Sequence, residues 1–241
     1  MGGTQRVALV TGGGSGIGAA VAQRLAADGY RVVVAGRRAA ELARTASAAL
    51  QQISTAVVDV ANRGAVEGWI ASVLSELGRI DVLVNCAGMN TVRRTVADLS
   101  AADWQRVMEV NASGAFHCIQ CVLPAMRSRG SGTIINISSV AGIRAVPLGG
   151  VAYNASKFAM TALGTTVGEE ERPNGIRVSN IFPGEVDTPI LEARPTPVTP
   201  EHRARMLQPD DVAATVGLIC QLPPRVRIPE LVIIPLSQSF A

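Results

Sequence analysis

Two side chains capable of proton chemistry stand four residues apart in the second half of the chain. Tyr153 and Lys157 share one face if this segment is helical, because residues four apart in a helix are neighbours. A tyrosine has a reference pKa of about 10, so it exchanges protons poorly near neutral pH. A nearby ammonium favours the phenolate, and the hydroxyl of Ser138 or Ser139 could hold a substrate oxygen beside that phenol.

Lys157 is the only lysine in a chain whose other basic residues are all arginine. A lone lysine would fall four residues after one of the two tyrosines in under roughly one percent of random placements, with helical spacing as the test. Arginine keeps its charge in every environment, whereas the pKa of a lysine changes on burial. We therefore interpret Lys157 as part of a proton relay rather than as a stray surface residue.

A glycine-rich turn separates the first predicted strand from the first predicted helix. Backbone N–H groups reach a phosphate where side chains do not obstruct them, and a helix N-terminus adds favourable partial charge. The flanking strand and helix argue against a turn without a ligand. The spacing predicts a dinucleotide-binding loop made of Thr11, Gly12, Gly14, Ser15, Gly16, Ile17 and Gly18.

The end of the second predicted strand indicates which dinucleotide binds. A carboxylate there would bind the adenosine ribose of NAD, but the chain has Arg37 and Arg38 and no acid before Glu41. Guanidinium groups suit the 2′-phosphate of NADP. NADP is favoured over NAD, and the alternative is a solvated arginine pair.

Three further polar sites follow later strands. Asp59, before Val60, could accept a hydrogen bond from adenine or cap the helix near Asn62. The small residues of Asn85-Cys86-Ala87-Gly88 would let the chain pass close to a cofactor ribose. Asn111 lies inside a long helical pattern, where asparagine is a poor helix former.

Apolar, β-branched runs alternate with helical patterns, which predicts a single α/β domain over residues 1–241 with a doubly wound, seven-stranded parallel sheet and helices on both faces. The proline-rich stretch 188–208 is expected to form a lid over a substrate site. The predicted strands are Val7–Thr11, Arg31–Ala35, Thr55–Val58, Asp81–Val84, Thr133–Ile137, Arg177–Phe182 and Leu231–Ile234. The predicted helices are Gly18–Asp28, Arg63–Glu76, Asp103–Arg127, Ala152–Glu170 and Pro209–Gln221.

Composition argues against several other classes of protein. The net charge is +3 and only 3% of the residues are aromatic, which disfavours a nucleic-acid surface. No apolar run reaches the roughly 18 residues of a membrane span, and the N-terminus turns glycine-rich before a signal-peptide core. We expect a cytoplasmic protein with a small-molecule substrate.

Cys118 and Cys121 share a predicted helix without zinc-site spacing, so no metal is expected.

Together these residues resemble the short-chain dehydrogenase/reductase family. The resemblance implies a Rossmann-type domain that uses a nicotinamide cofactor without a metal, usually as a tetramer or dimer. The matching pieces are Thr11–Gly18, Asp59, Asn85–Gly88, Asn111, Ile137-Ser138-Ser139, Tyr153-x-x-x-Lys157 and Pro183-Gly184.

The resemblance also implies a role for each site residue. Tyr153 would be the catalytic acid and base, and Ser139 would orient the substrate. Lys157 would bind the nicotinamide ribose and lower the pKa of the tyrosine, while Asn111 would hold a water in the proton relay. The nicotinamide end would be lined by Pro183, Gly184, Val186 and Thr188.

The C-terminal segment 234–240, together with Gly36-Arg37-Arg38, looks like the NADP-dependent branch that acts on serine and other 3-hydroxy acids. A carboxylate substrate calls for a cation in the pocket. The alternatives are a 3-ketoacyl thioester, steroid or sugar reductase, or a cofactor-binding regulator without catalysis. All four catalytic positions are present, which argues against the regulator. The candidate cations are Arg93, Arg94, Arg144, Arg194, Arg203 and Arg205.

Overall fold

The computed structural model describes residues 5–48 and 52–240, and within them seven strands form one parallel sheet in the order β3-β2-β1-β4-β5-β6-β7. This arrangement confirms the predicted α/β class. The predicted domain limits also include residues 1–4, 49–51 and 241, which lie outside the described residues. The strands are β1 (Val7–Thr11), β2 (Arg31–Gly36), β3 (Ile53–Val57), β4 (Val82–Asn85), β5 (Gly132–Ile137), β6 (Ile176–Pro183) and β7 (Glu230–Ile233).

Helices cover both faces of the sheet, so the central strands are apolar on both sides. One core lies under α1 (Gly16–Ala27) and α8 (Pro209–Gln221), and the other lies under α3 (Arg63–Leu77) and α5 (Gly114–Arg129). No helix in the described ranges is long and apolar enough to cross a bilayer. The helices are α1 (Gly16–Ala27), α2 (Ala39–Ser47), α3 (Arg63–Leu77), α4 (Ala101–Met108), α5 (Gly114–Arg129), α6 (Val151–Glu170), α7 (Pro200–Arg203) and α8 (Pro209–Gln221).

The structure corrects two helix predictions. Helix α2 was not predicted, and only Leu42 and Thr45 of its nine residues are buried, which leaves a weak apolar pattern. The predicted helix Asp103–Arg127 is two helices joined by a π-helical turn at Glu109–Ser113. A π turn adds a residue to the helical repeat and often marks a functional site.

The 188–208 segment follows β6 and folds back beside residues 185–187, just beyond the end of that strand. A 3₁₀ turn over Pro189–Ala193 is followed by α7. The segment closes where Leu207 N donates to Glu185 O (3.0 Å) and Asp187 N donates to Leu207 O (2.9 Å). Its action as a lid stays a prediction.

A row of buried amides crosses the carboxyl ends of three central strands. Asn85 donates to Asn136 (3.0 Å), Asn136 donates to Asn180 (3.0 Å), and Asn180 donates to Thr165 Oγ1 (3.3 Å). These asparagines are paired in the strand register. Helix α6 passes the row at Gly164, where a Cβ would lie 2.1 Å from Asn180 Oδ1.

We predict opposite effects for two glycine-to-alanine changes inside helices. Gly164→Ala should lower the free energy of unfolding by roughly 1–3 kcal/mol, because the methyl group would displace the buried amides. Gly68→Ala on α3, where nothing lies within 4 Å of the added Cβ, should raise it by up to about 1 kcal/mol through helix propensity. Urea unfolding at equal protein concentration measures both changes. Equal changes in the free energy of unfolding for the two variants would contradict the predicted clash at Gly164.

Candidate active site

A cleft of about 620 Å³ opens at the carboxyl edge of the sheet. It connects the glycine-rich loop after β1, the arginines after β2 and the first turns of α6. Most of the residues predicted for the site line it. They are Gly12, Gly14, Ser15, Gly16, Ile17, Gly18, Arg37, Arg38, Asp59, Val60, Ala87, Gly88, Ser139, Tyr153, Lys157, Pro183, Gly184, Val186 and Thr188.

Thr11, Asn85 and Asn111 lie behind the wall of the cleft. Thr11 Oγ1 accepts hydrogen bonds from the N–H groups of Cys86 (3.0 Å) and Ala87 (3.1 Å). Asn85 is buried in the amide row. Both side chains bond within the protein and support the wall from behind, and contact of either residue with a cofactor stays a prediction.

Asn111 sits in the π-helical turn and is fully buried. Its Oδ1 accepts from Met89 N (2.8 Å), and its Nδ2 donates to Met89 O (3.0 Å) and to Ser156 Oγ (2.9 Å). Both N–H donors are thus bound to protein groups. The side chain ties the loop after β4 to α6, and the predicted role of Asn111 in holding a water stays a prediction.

The glycine-rich loop has the geometry of an anion site. Gly12 has φ +66°, and a Cβ there would lie 2.9 Å from the backbone of Ala87. Helix α1 begins at Gly16, its N-cap Ser15 makes no side-chain capping bond, and its first turn carries no acidic residue. The first N–H groups of α1 are therefore available to a phosphate.

The part of the cleft beside the glycine-rich loop is basic. Arg37 and Arg38 are exposed on it, and Arg38 Nη2 lies 3.5 Å from Ser15 Oγ. No carboxylate ends β2, and the nearby Glu41 forms an ion pair with Arg44. A phosphate bound here would meet two guanidinium groups.

Asp59 accepts hydrogen bonds from Arg106 (2.7 Å) and from Ala61 N (3.1 Å). Burial alone would raise the pKa of Asp59, but these hydrogen bonds and the guanidinium charges lower it. The N-cap of α3 is Asn62, which accepts from Ala65 N (3.0 Å). The alternative that Asp59 caps this helix is therefore wrong, and its contact with adenine stays a prediction.

The predicted proton-transfer residues meet at the start of α6. Ser139, which follows β5, lies close to the Tyr153 phenol in the cleft. Lys157, one helical turn later, is 4% exposed and donates from Nζ to Ile137 O (2.8 Å). Its Nζ lies 5.7 Å from the centroid of the Tyr153 ring. The structure thus brings together three groups that the chain separates.

The electrostatics at this end differ from those predicted. Burial raises the pKa of Tyr153, while the Ser139 hydrogen bond and the Arg94 charge oppose the rise. Burial also lowers the pKa of Lys157 to about 8. Burial of the phenol thus outweighs the influences that oppose it, and the lowering of the tyrosine pKa by Lys157 stays a prediction.

Only two of the six candidate arginines line the cleft, Arg94 and Arg194. Arg194 donates to Glu185 (2.6 Å), whose other oxygen meets His202 Nε2 (2.9 Å). Arg203 pairs with Asp187. The remaining candidates do not line the cleft, and they are Arg93, Arg144 and Arg205.

Two residues that line the cleft belong to segments that the sequence singled out, but neither is individually a predicted site residue. Gln238, in the C-terminal segment, accepts a hydrogen bond from Glu185 N (2.8 Å) and lines the substrate end. The thiol of Cys86 also lines the cleft, and burial raises its pKa to about 12. Among the described residues, no three His, Cys, Asp or Glu side chains cluster as metal ligands.

Comparison with known proteins decides the family. The family model described as short chain dehydrogenase matches residues 6–198. The chain belongs to the short-chain dehydrogenase family. An uncharacterized oxidoreductase of Staphylococcus saprophyticus is 35% identical over 235 residues, which are 95% of this chain and 97% of that protein. The chain is thus a short-chain dehydrogenase/reductase enzyme.

Solved structures of the family share the whole fold. The closed form of a serine dehydrogenase complexed with NADP⁺ is 31% identical, with a TM-score of 0.88 over 98% of this chain and 97% of that chain. An alcohol dehydrogenase from the archaeon Thermococcus sibiricus, complexed with 5-hydroxy-NADP, is 29% identical, with a TM-score of 0.88 over 98% of each chain.

We predict that burying Lys157 costs stability in a pH-dependent way. Below pH 8 the ammonium is charged in the folded and unfolded protein, and above 10.5 it is neutral in both. The cost should therefore be largest at neutral pH, on the order of 3 kcal/mol, and should fade between these values.

Lys157→Met should then be more stable than the natural enzyme at pH 7, and the gap should narrow towards pH 10. Urea unfolding across this pH range measures the difference in free energy of unfolding between the two proteins. The other titrating groups are common to both proteins, so their contributions cancel to first order. A difference that does not change with pH would contradict the lowered pKa of Lys157.

Proposed function

We propose that this short-chain dehydrogenase uses NADP to interconvert a secondary alcohol and a ketone, with Tyr153 as acid and base. One observation carries the proposal: a single cleft holds both the uncapped glycine-rich loop and the neighbouring side chains of Tyr153 and Ser139. A cofactor bound on the loop would place its reactive end beside that pair.

The residues of the cleft fit a nicotinamide dinucleotide. The first turn of α1 would bind the pyrophosphate, and Arg37 and Arg38 would bind the 2′-phosphate that distinguishes NADP from NAD. When bound, the nicotinamide supplies or accepts the hydride. Two related structures, one complexed with NADP⁺ and the other with 5-hydroxy-NADP, support this choice.

The protein side chains would handle the substrate oxygen and its proton. In alcohol oxidation, Ser139 holds the hydroxyl oxygen and the Tyr153 phenolate takes the proton as the hydride leaves the carbon. In ketone reduction, the phenol returns that proton to the oxygen. Lys157 would bind the ribose of the cofactor beside the phenol, and Asn111 holds the loop at Met89 against α6.

We further propose a small 3-hydroxy acid as the substrate. Arg194 lines the substrate end, and the salt bridge to Glu185 uses its Nη2, so Nη1 and Nε can face a carboxylate. The likeness to a serine dehydrogenase over the whole chain supports the same class. A 3-ketoacyl thioester, a steroid or a sugar remains the alternative, since Glu185 offsets part of the positive charge.

We also propose that the enzyme acts in the cytoplasm as a tetramer or dimer. Phe116 on α5 and Phe158 on α6 are 41% and 42% exposed. Large apolar side chains on two adjacent helices support contact between subunits. Light scattering distinguishes these assemblies from a monomer.

The cofactor assignment predicts selective loss of NADP binding. Arg37→Ala and Arg38→Ala should each raise the Kd for NADPH about tenfold or more, because each removes a charge-assisted hydrogen bond. The Kd for NADH should change little. Fluorescence titration measures both constants, with Arg225→Ala as a control for lost surface charge. Equal weakening of both cofactors would rule out 2′-phosphate recognition.

The substrate assignment predicts turnover of 3-hydroxy acids such as serine with NADP⁺, and loss of turnover in Tyr153→Phe by about 10²-fold or more. Arg194→Gln should lower kcat/KM about tenfold to a hundredfold for the acids, and little for neutral alcohols, because one charge-assisted contact is lost. Arg205→Gln is the charge-matched control. Turnover confined to neutral ketones and alcohols would remove the hydroxy-acid assignment and leave the oxidoreductase.

A further inference from the structure

Arg94 is a buried cation that the proposed reaction does not use. It follows the loop after β4, is 7% exposed and lines the cleft. Burying a guanidinium is costly unless its N–H groups are bonded. Its partners therefore indicate what the charge does.

Three backbone carbonyls hold the Arg94 guanidinium. Nε donates to Thr91 O (2.9 Å), Nη1 donates to Leu148 O (2.8 Å), and Nη2 donates to Ala193 O. These carbonyls belong to three separate segments around the cleft: the loop after β4, the turn before α6 and the 188–208 segment. The planar fork of arginine suits such divergent acceptors, whereas a lysine ammonium does not.

All three partners are neutral. Among the described residues, no carboxylate forms a salt bridge with Arg94, so its charge is not cancelled by a partner. In contrast, Arg194 and Arg203 face Glu185 and Asp187. Arg94 therefore adds to the cleft a fixed positive charge that its own bonds do not neutralise.

The backbone of Arg94 also holds the start of α6. Arg94 O accepts a hydrogen bond from Val151 N (3.1 Å), the first residue of that helix. Gly150 precedes it with φ +78°, and a Cβ there would lie 2.5 Å from Arg94 Cβ. Tyr153 stands two residues into the helix, so Arg94 packs against the turn that orients the phenol.

We propose that Arg94 is a positioning residue for the reaction: a fixed positive charge that acts on the phenol of Tyr153 while its guanidinium joins three loops at the substrate end. The role rests on the proposed function of Tyr153 as acid and base. The charge favours the phenolate and so opposes the effect of burial.

Other groups beside Tyr153 also act on its pKa. Burial raises the pKa of Tyr153, Ser139 lowers it and the Cys86 thiol raises it, while Lys157 Nζ lies 5.7 Å from the centroid of the ring. On the 188–208 side, Arg194 lowers the pKa of Arg94, as burial also does. An arginine remains charged in proteins, so these influences leave the cation in place.

The experiment is an ultraviolet titration of the tyrosine, which needs no substrate. The chain has two tyrosines, and burial raises the pKa of Tyr30 to about 12. The phenolate absorbance that Tyr153→Phe removes therefore reports Tyr153. Arg94→Met and Arg94→Gln should move the titration to higher pH, while Arg94→Lys should stay nearer the natural enzyme. Arg93→Met, on the same loop but exposed and outside the cleft, should change nothing.

A second readout is the pH profile of alcohol oxidation. The rising limb of kcat should move to higher pH in the two neutral variants and less in Arg94→Lys. Thermal melting and NADPH binding show that each variant is folded, and Arg94→Gln keeps a polar side chain should Arg94→Met fail to fold. An unchanged titration in folded Arg94→Gln or Arg94→Met overturns the proposal, as does a change in KM alone. A shifted titration in an enzyme that turns over no alcohol would overturn only the proposed function.

Discussion

The substrate end of the cleft is organised around a buried ammonium. Lys157 Nζ, 4% exposed, bonds to the carbonyl of Ile137 at the end of β5. Ser138, directly after β5, donates from Oγ to the backbone carbonyl of Lys157 on α6 (3.2 Å), so a second hydrogen bond joins the end of the strand to the helix. A charged group taken out of water destabilises the fold unless it is well bonded. The register of β5 against α6 therefore depends on this contact, and with it the meeting of Ser139 and Tyr153.

Two cations flank one phenol, and both are held by backbone carbonyls rather than by carboxylates. Lys157 uses Ile137, and Arg94 uses carbonyls from three loops. Carbonyl partners satisfy N–H groups without cancelling their charge, whereas a carboxylate would do both. The Tyr153 phenol thus lies between two fixed positive charges, which favour an anionic phenolate in a place where desolvation opposes it.

The two ends of the site are built by different means. The phosphate end depends on the backbone, with Gly12 packed against the turn at Ala87 and the first turn of α1 left without a side-chain cap. The substrate end depends on side chains from distant segments, such as Glu185 between Arg194 and His202 and the contact of Gln238 with Glu185 N. Backbone geometry leaves little room for change at the glycine-rich loop. Substitution of side chains at the other end can change the substrate while the fold stays the same.

The sequence by itself determined the sheet, most helices, the phosphate loop and the pairing of Tyr153 with Lys157, because these depend on periodicity and on residues four apart. It missed α2, whose apolar face is small, and the π turn that breaks a continuous helical pattern at Asn111. Tertiary structure alone decided that Thr11 supports the wall instead of facing the cleft, and that Arg94 is held by a carbonyl 99 positions away. Such contacts join the ends of separate strands, and no local spacing in the chain specifies them.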